Sequence, residues 1–279
     1  MNGLSSRFAV GAGEEPERIP ALVEVVEAAG PSGSVVRIQT HTGSRLAWCW
    51  VELNRHDTVR RGYASILPFR RSIPQEVLVG FEPNDHIPMR DLVHDGLCPI
   101  PDVVAQTVAL VESIDHPGIR ECVTSALLDS RACPRYWRCP ASLAHHHAFE
   151  GGLALHSLEV ATLVASSRGL STRDRDLGIA YALLHDYGKV LCYADGRYTK
   201  HQKRGHVAVG LELLELHVQN VGWSDPEAET HLMELLGGPQ QGPYPLALGR
   251  IVKAFDQKSC EADRLRREAR ISPNETAKT

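Results

Sequence analysis

The chain has 279 residues, 23% of them charged, and a formal net charge of −4, which excludes a strongly basic nucleic-acid-binding protein as a description of the whole chain. No apolar run reaches the ~18 residues that a membrane span needs, and the short apolar start followed by acidic residues does not match a signal peptide. The seven cysteines form no Cys-x-x-Cys pair, which excludes a disulfide scaffold and favours reduced thiols in a cytoplasmic protein.

The first third of the chain predicts a small β-rich domain over residues 21–90. Residues 1–20 are expected to form a flexible N-terminus, and Pro20–Gly30 is expected to form a short helix that ends at the glycine. Four runs rich in β-branched and aromatic residues follow, separated by turn residues: Ser34–Gln39, Arg45–Leu53, Tyr63–Pro68 and Gln75–Phe81. Their spacing indicates an antiparallel sheet or a barrel, either OB-like or a purely structural module.

Helical periodicity dominates from Pro101 onward and predicts an all-helical domain over residues 100–268. Apolar residues three and four positions apart, with Pro or Ser at the starts, predict several helices: Pro101–Ile114, Pro117–Leu128, Ser171–Leu184, Pro226–Leu236 and Leu246–Arg267. Residues 269–279 are expected to be a flexible tail. The predicted fold class is therefore α+β, a small β-rich domain followed by a helical bundle.

Histidines are concentrated in the helical domain. Nine of the 14 lie between His145 and His231, a window of 87 residues in which even scatter would place about four. An apolar helix within this window ends in His185 and Asp186, which can supply one nitrogen and one oxygen ligand to a divalent cation. Alone, this dipeptide is common, and a capping or surface role would explain it.

Two further residues could complete a ligand set. His156 lies 29 residues before His185, at the edge of an apolar helix face, and Asp256 follows apolar residues at helical spacing. A buried carboxylate without a partner costs several kcal/mol, so Asp256 needs a cation or a hydrogen-bond donor. His156, His185, Asp186 and Asp256 would satisfy one another through one metal ion.

These four residues resemble the H…HD…D signature of the HD-domain superfamily of metal-dependent phosphohydrolases. The segment Pro140–Ala161, with three histidines before Gly-Gly-Leu and His156, is similar to a segment of two HD groups. One group is the TraI-type (MOBH class) relaxases of conjugative elements, and the other is the 3′→5′ exoribonucleases that join an OB-fold to an HD domain. Asp256–Ser259 resembles the relaxases, whereas a β-rich first part favours the exoribonuclease layout. The resemblance covers about residues 100–265.

The resemblance implies hydrolysis of a phosphomonoester or phosphodiester with an ion held by His156, His185, Asp186 and Asp256. Such an ion keeps positions open for water and a phosphoryl oxygen and lowers the pKa of water. Ligands without thiolate suit Mn, Fe, Ni, Co or Zn, or Mg at lower affinity. The expected catalytic residues are Asp186, His185 and Lys189. Asp186, which lies beside the ion, is the expected acceptor of the proton from the attacking water, and Lys189 could reach the substrate.

Further histidines could assist the metal or bind phosphate. Three consecutive ones belong to the relaxase-like signature: His145, His146 and His147. In a loop, two of the three could face one ion, and a turn-packing role is the alternative. His206 matches an auxiliary histidine of dinuclear HD domains. The histidine pair that would complete a second site is replaced by Leu236 and Gly237, so one ion per chain is expected.

A basic segment, Arg197–Arg204, contains four Lys or Arg in eight residues, and Lys200, Lys203 and Arg204 could bind phosphate. A solvated loop is the alternative. The expected function is cleavage of phosphodiester bonds in single-stranded DNA or RNA, by a nuclease or a relaxase-like enzyme. Two alternatives stay open: a small-molecule nucleotide phosphohydrolase, and a non-catalytic metal-containing accessory or DNA-binding module of a mobile genetic element.

Overall fold

The structure, a computed structural model, describes residues 15–30, 33–53, 59–69, 74–239 and 242–271. The chain divides into two compact units, Met1–His94 and Asp95–Thr279. The first contains a five-stranded sheet and the second contains the α-helices of the described part of the chain. The predicted α+β class, with a β-rich domain before a helical one, is confirmed.

The first unit is a closed barrel with the strand order β1-β2-β3-β5-β4. Its strands are β1 (Glu17–Gly30), β2 (Gly33–Thr40), β3 (Gly43–Cys49), β4 (Val59–Pro68) and β5 (Glu76–Pro83). All neighbouring pairs are antiparallel except β3 and β5, which run parallel. A five-stranded barrel is the architecture of OB-like modules, one of the alternatives that the sequence left open.

The prediction of a helix over Pro20–Gly30 is wrong, because these residues belong to β1. Ala21 and Val23 are fully buried and alternate with more exposed neighbours, so the side chains follow the period of two that a strand requires. Pro20 lies in the part of β1 that pairs with β4 but not yet with β2. Its missing N–H therefore breaks no hydrogen bond to β2.

The predicted flexible N-terminus is also wrong for residues 17–20, which begin β1, while residues 1–14 lie outside the described residues. The barrel interior is filled by small and β-branched side chains from all five strands: Ala21, Val23, Val36, Ile38, Ala47, Cys49, Ala64, Ile66 and Leu78. Small residues suit the narrow interior of a barrel with few strands.

The second unit consists mainly of nine α-helices in its described part. They are α1 (Val103–Glu112), α2 (Pro117–Leu128), α3 (Cys133–Tyr136), α4 (Gly152–Ala165), α5 (Thr172–Leu184), α6 (Lys189–Cys192), α7 (His206–Gly222), α8 (Pro226–Gly237) and α9 (Ala247–Ile271). Among the described residues, none of the helices combines the length and the apolar character that crossing a membrane requires. Residues 269–271 belong to α9 rather than to the predicted tail, and residues 272–279 lie outside the described residues.

Helix α5 is the centre of the helical unit and packs against α2, α4, α8 and α9. Ser171 caps its start by accepting a hydrogen bond from the Asp174 backbone N–H, as predicted. Every residue from Asp176 to Leu184 is buried, which is typical of a helix that is surrounded by other helices. The two residues that follow α5, His185 and Asp186, therefore enter the interior of the unit.

A short hairpin and a 3-10 helix connect α6 to α7. Strands β6 (Tyr193–Ala194) and β7 (Arg197–Tyr198) flank Asp195 and Gly196, which both have positive φ, as a tight hairpin turn requires. The 3-10 helix, Lys200–Arg204, follows. The hairpin lies where the sequence predicts a basic loop, and Asp195-Gly196 is the turn signal that could have identified it.

Candidate metal centre

Three mutually packed helices bring the four predicted ligands to one buried place. His156 lies in α4, His185 and Asp186 follow the last residue of α5, and Asp256 lies in α9. His156 is fully buried, not at the edge of an apolar face as expected, and both aspartates are buried as well. Buried ionisable groups of this kind need partners, and here they are one another's neighbours.

The candidate ligand atoms are separated by about the distances found around one ion. Asp256 Oδ1 lies 3.0 Å from His156 Nε2 and 3.9 Å from His185 Nε2. Asp186 Oδ2 lies 3.4 Å from His185 Nε2 and 3.9 Å from His156 Nε2. Ligands bound at about 2 Å from a tetrahedral ion lie a little more than 3 Å apart, so small side-chain shifts would bring these atoms around one metal.

A backbone hydrogen bond fixes the tautomer of His185. Its Nδ1 lies 2.9 Å from the Ala182 carbonyl oxygen, and that oxygen can only accept a hydrogen bond. Nδ1 therefore carries the proton, and Nε2 presents a lone pair to the carboxylates. This is the usual arrangement of a metal-binding histidine, in which the second nitrogen is held by another group.

Hydrogen bonds from Glu159 through Ser259 fix the tautomer of His156 in the same way. Ser259 Oγ donates its single proton to Glu159 Oε2, at 2.5 Å. The serine oxygen is then the acceptor for His156 Nδ1, which lies 3.0 Å away, so Nδ1 carries the proton and Nε2 has a free lone pair. Glu159 and Ser259 thus orient the imidazole of His156 towards Asp256.

The residues fit a divalent metal ion because two buried lone pairs face carboxylate oxygens. In the part of the chain that the structure describes, neither His156 Nε2 nor His185 Nε2 makes a hydrogen bond of good geometry, and Asp256 Oδ1 also carries lone pairs. Such atoms repel at 3.0 Å unless a proton or a cation lies between them. Two imidazoles and two carboxylates are ligands for Mn, Fe, Co, Ni or Zn, and less strongly for Mg.

Basic side chains contact the carboxylate oxygens of both aspartates, including Asp186 Oδ2, which also faces the two imidazoles. Lys189 is buried and places Nζ 2.5 Å from Asp186 Oδ2, and His206 Nε2 lies 3.2 Å from Asp186 Oδ1. Lys253 contacts Asp256 Oδ2. Lys189, which was expected to reach a substrate phosphate, is instead paired with the candidate ligand Asp186.

Charge pairing outweighs burial for the acidic groups. Burial raises the pKa of Asp186, but His185 and Lys189 hold that pKa well below its usual range. The pKa of Asp256 is likewise lowered, by His156, His185 and Lys253, against the effect of burial. Both aspartates are therefore anionic at neutral pH, as candidate metal ligands must be.

The two imidazoles shift in opposite directions. Burial lowers the pKa of His156 and keeps it neutral, as a ligand must be. Burial also lowers the pKa of His185, but the carboxylates of Asp186 and Asp256 outweigh this effect and the net shift is upward. A metal ion would replace the proton that these carboxylates otherwise attract to His185.

Only part of the triple histidine is turned towards this centre. His145 is exposed, whereas the rings of His146 and His147 each lie 5.2 Å from the ring of His156. The backbone N–H of His147 donates to Asp263 Oδ2, at 2.8 Å, and its Nε2 lies 3.2 Å from Glu159 Oε2. His147 has a φ of 46°, so these contacts hold it in a backbone conformation that is rare for histidine.

The three predicted phosphate-binding residues lie in the 3-10 helix Lys200–Arg204, whose start Thr199 caps. Lys200 and Lys203 are exposed, while Arg204 pairs with Glu212 at 2.5 Å. An exposed ammonium can bind a phosphate at low cost, whereas Arg204 would first have to leave its partner.

Sequence reasoning missed the residues that support the ligands. A stripe of polar side chains runs along α9 at positions i, i+3, i+4 and i+7: Asp256, Ser259, Cys260 and Asp263. The helical period places these residues on one face, and three of them are buried polar groups. Glu159 lies one turn after His156 on α4. This spacing was visible in the sequence and is the signal that could have identified them.

Acid should destabilise the helical unit through Glu159. Burial raises the pKa of this carboxyl, but hydrogen bonds from His147, Ser259 and Arg266 outweigh it and lower the pKa from 4.5 to about 2. Because the folded-state pKa is depressed, the contribution to stability is complete above pH 4.5 and is lost as the pH falls from 4.5 towards about 2. In urea unfolding with EDTA present, the free energy of unfolding of the wild type should exceed that of Glu159→Gln above pH 4.5, and this difference should disappear as the pH falls towards about 2. A stability difference between the two that does not change with pH would contradict the assignment.

Comparison with known proteins agrees with this geometry. Residues 153–259 match the HD domain family, and this range contains all four candidate ligands. A 3′-5′ exoribonuclease YhaM from Listeria innocua is 39% identical over 70 residues, 25% of this chain and 22% of the relative. A 3′-5′ exoribonuclease YhaM from Bacillus velezensis is 28% identical over 108 residues, 38% of this chain and 34% of the relative. No solved structure matches.

The chain therefore spans only about a fifth to a third of the length of these curated relatives. The matched part is the helical unit from α4 into α9, where the candidate metal centre lies. The sequence match and the buried His–His–Asp–Asp arrangement both place the similarity to HD domains in residues 153–259.

Proposed function

We propose that this chain is a metal-dependent phosphohydrolase that cleaves phosphodiester bonds in single-stranded nucleic acid, with RNA degraded from its 3′ end as the first candidate reaction. The observation that carries the proposal is the convergence of two imidazoles and two carboxylates in one buried cluster, in which His156 Nε2 lies 3.0 Å from Asp256 Oδ1. The match to the HD domain and the printed names of the relatives support the reaction class.

A divalent ion held by these residues would lower the pKa of water and screen the charge on a phosphoryl group. The chain's own residues would then position the reacting groups. Asp186 is too weak a base to hold a proton for long, because its pKa lies well below the usual range. Asp186 Oδ1 lies 3.2 Å from His206 Nε2, so Asp186 orients the His206 imidazole. The other ring nitrogen, Nδ1, is then the proposed acceptor of the proton from the attacking water.

Substrate binding is proposed to use the exposed ammonium groups of Lys200 and Lys203 and, separately, the N-terminal barrel. OB-like barrels bind oligonucleotides in other proteins. The net charge of −4 means that phosphate contacts must be local rather than spread over the whole surface. A small-molecule nucleotide substrate would need fewer such contacts and is the alternative that the assay must separate.

The test is cleavage by the metal-stripped chain after reloading with Mn²⁺, Fe²⁺, Co²⁺, Ni²⁺, Zn²⁺ or Mg²⁺. Single-stranded RNA labelled at the 5′ end should be shortened progressively, and circular RNA should be resistant. Single-stranded DNA that is nicked at one position would favour a relaxase-like reaction, and turnover of mononucleotides alone would favour a nucleotide phosphohydrolase. A chain that binds the metal and cleaves none of these would contradict a hydrolytic function and favour the accessory module.

Neutralising the two exposed lysines should weaken oligonucleotide binding without removing the chemistry. For Lys200→Gln/Lys203→Gln we expect KM for a single strand to rise several-fold with kcat nearly unchanged. In a plot of the logarithm of the binding constant against the logarithm of the salt concentration, each lost phosphate contact makes the slope shallower by about 0.7. The slope for the double variant should therefore be shallower by about 1.4 than that for the wild type. Arg168→Gln/Lys258→Gln, which removes the same charge from exposed positions elsewhere, is the control. Equal effects of both doubles would contradict a dedicated phosphate contact.

A further inference from the structure

A second group of possible metal ligands lies beside His156 and includes a sulfur atom. His146, His156 and Cys260 each offer a ligand atom within 4.8 Å of the other two. Cys260 Sγ also lies 3.8 Å from Asp256 Oδ1. His156 belongs both to this group, called here the thiol group, and to the group with His185 and Asp186.

The fold holds the members of the thiol group in place. Cys260 lies one helical turn after Asp256 on α9, so both side chains point to the same side of the helix. His146 lies in the loop before α4, where its carbonyl oxygen accepts a hydrogen bond from Ser142 Oγ at 2.8 Å. The next residue, His147, is tied to Asp263 of α9 through its backbone N–H. The loop is therefore held in shape by Ser142 and is attached to α9 next to the group, at His147.

Among the described residues, two nitrogens of this group make no hydrogen bond of good geometry. His156 is fully buried, and its Nε2 is the nitrogen available to a metal ion, because Nδ1 is held by Ser259. His146 Nδ1 is buried and also makes no hydrogen bond among the described residues. A thiol is a weak donor, so its long contact with Asp256 is a weak competitor for a metal ion.

We propose that His146, His156 and Cys260 form an alternative position for the metal ion, in which a thiolate replaces the ligands from the end of α5. His156 has only one free nitrogen, so a single ion can occupy the His185–Asp186 side or the thiol side, but not both through His156. When the ion binds on the thiol side, the Cys260 S–H bond breaks, the sulfur electron pair binds the metal and the proton goes to solvent.

The choice between the two positions should depend on the metal. Sulfur ligands favour thiophilic ions such as Zn²⁺, Co²⁺ and Cd²⁺, whereas Mg²⁺ and Mn²⁺ favour the carboxylate side. Thiophilic ions on the thiol side would take His156 away from His185 and Asp186. This inference rests on the proposed metal centre, and it adds a specific reason why Zn²⁺ and Mn²⁺ would behave differently on the same chain.

Titration of the metal-stripped full chain with Co²⁺ tests the inference without an activity assay. A thiolate ligand to Co²⁺ gives an intense charge-transfer band in the near ultraviolet, separate from the visible ligand-field bands. We expect this band in the wild type, with about one Co²⁺ per chain. Cys260→Ser should lose the charge-transfer band and keep the visible bands, and His146→Ala should weaken it. Cys49→Ser, a buried cysteine of the barrel, should leave the spectrum unchanged.

The outcomes separate this inference from the proposed function. Failure of the wild type to bind Co²⁺ would contradict the metal centre itself and, with it, the proposed function. Binding of Co²⁺ without the thiolate band, or a band that survives in Cys260→Ser, would overturn only the thiol position. If Cys260→Ser does not fold, X-ray absorption of the Zn²⁺-loaded wild type decides. A sulfur neighbour at about 2.3 Å supports the inference and a shell of nitrogen and oxygen alone overturns it.

Discussion

Asp186→Asn is expected to abolish hydrolysis and to remove most of the bound metal. Asp186 is the carboxylate nearest to His185 and also contacts Lys189 and His206. An amide keeps the shape but loses the negative charge that attracts a divalent ion. Metal catalysis supplies several kcal/mol and each 1.36 kcal/mol is a factor of ten, so the rate should fall by about 10³ or more. Metal content per chain and single-turnover rates measure the two effects.

The same variant should also lose stability, because Lys189 is buried and would be left without its carboxylate partner. Breaking a buried pair by removing one partner costs about 3–5 kcal/mol. The double variant Asp186→Asn/Lys189→Met removes both charges and should recover most of that stability while staying inactive. Asp115→Asn, an exposed carboxylate paired with Arg175, is the control and should behave as the wild type. If the double variant regained activity, Asp186 would not be the essential ligand.

The ligand set could be predicted from the sequence because it depends on a few strongly constrained residues. His185 and Asp186 follow a helix whose second half, Leu177–Leu184, has no charged residue on any side, and Asp256 lies among apolar residues at helical spacing. A buried charge needs a partner wherever the chain folds, so these residues had to be satisfied together. The structure places all four candidates next to one another, which the spacing of 29 and 70 residues along the chain could not show by itself.

The supporting residues and the β-strand β1 were harder to predict for different reasons. Glu159 and Ser259 act through a hydrogen-bond chain between two helices, and pairing between helices is a tertiary property that one sequence does not encode locally. The first strand was misread as a helix because its apolar residues are adjacent and Gly30 resembles a helix end. The alternation of buried and exposed side chains along β1 depends on its pairing with β2 on one edge and β4 on the other.

Gly188→Ala is expected to destabilise the helical unit strongly. A Cβ at this position would lie 2.0 Å from the His206 carbonyl oxygen and 2.5 Å from the Gly210 nitrogen, both backbone atoms of α7. Gly188 has a φ of −65°, so alanine suits the backbone conformation and the clash alone opposes it. Because backbone atoms cannot rotate away, we expect a loss of about 3 kcal/mol, the upper end for overpacked sites. Urea unfolding of the metal-free chain measures it.

Alanine substitutions at two other glycines should cost progressively less stability than Gly188→Ala. At Gly210, on the opposite side of the same contact, a Cβ would lie 3.1 Å from the Gly188 nitrogen, so alanine should cost about 1 kcal/mol. At Gly118 the nearest atoms are the Ser224 and His116 side chains, at 3.0 Å or more, which can move aside, and alanine should be nearly neutral.

The close approach at Gly188 also has a consequence for the candidate metal centre. His206 begins α7, and its imidazole lies 3.2 Å from Asp186 Oδ1. Any shift of α7 that makes room for a methyl group must move His206 relative to Asp186, so Gly188→Ala should lower activity even in molecules that remain folded. An active Gly188→Ala of wild-type stability would mean that α6 and α7 do not approach as closely as the structure shows.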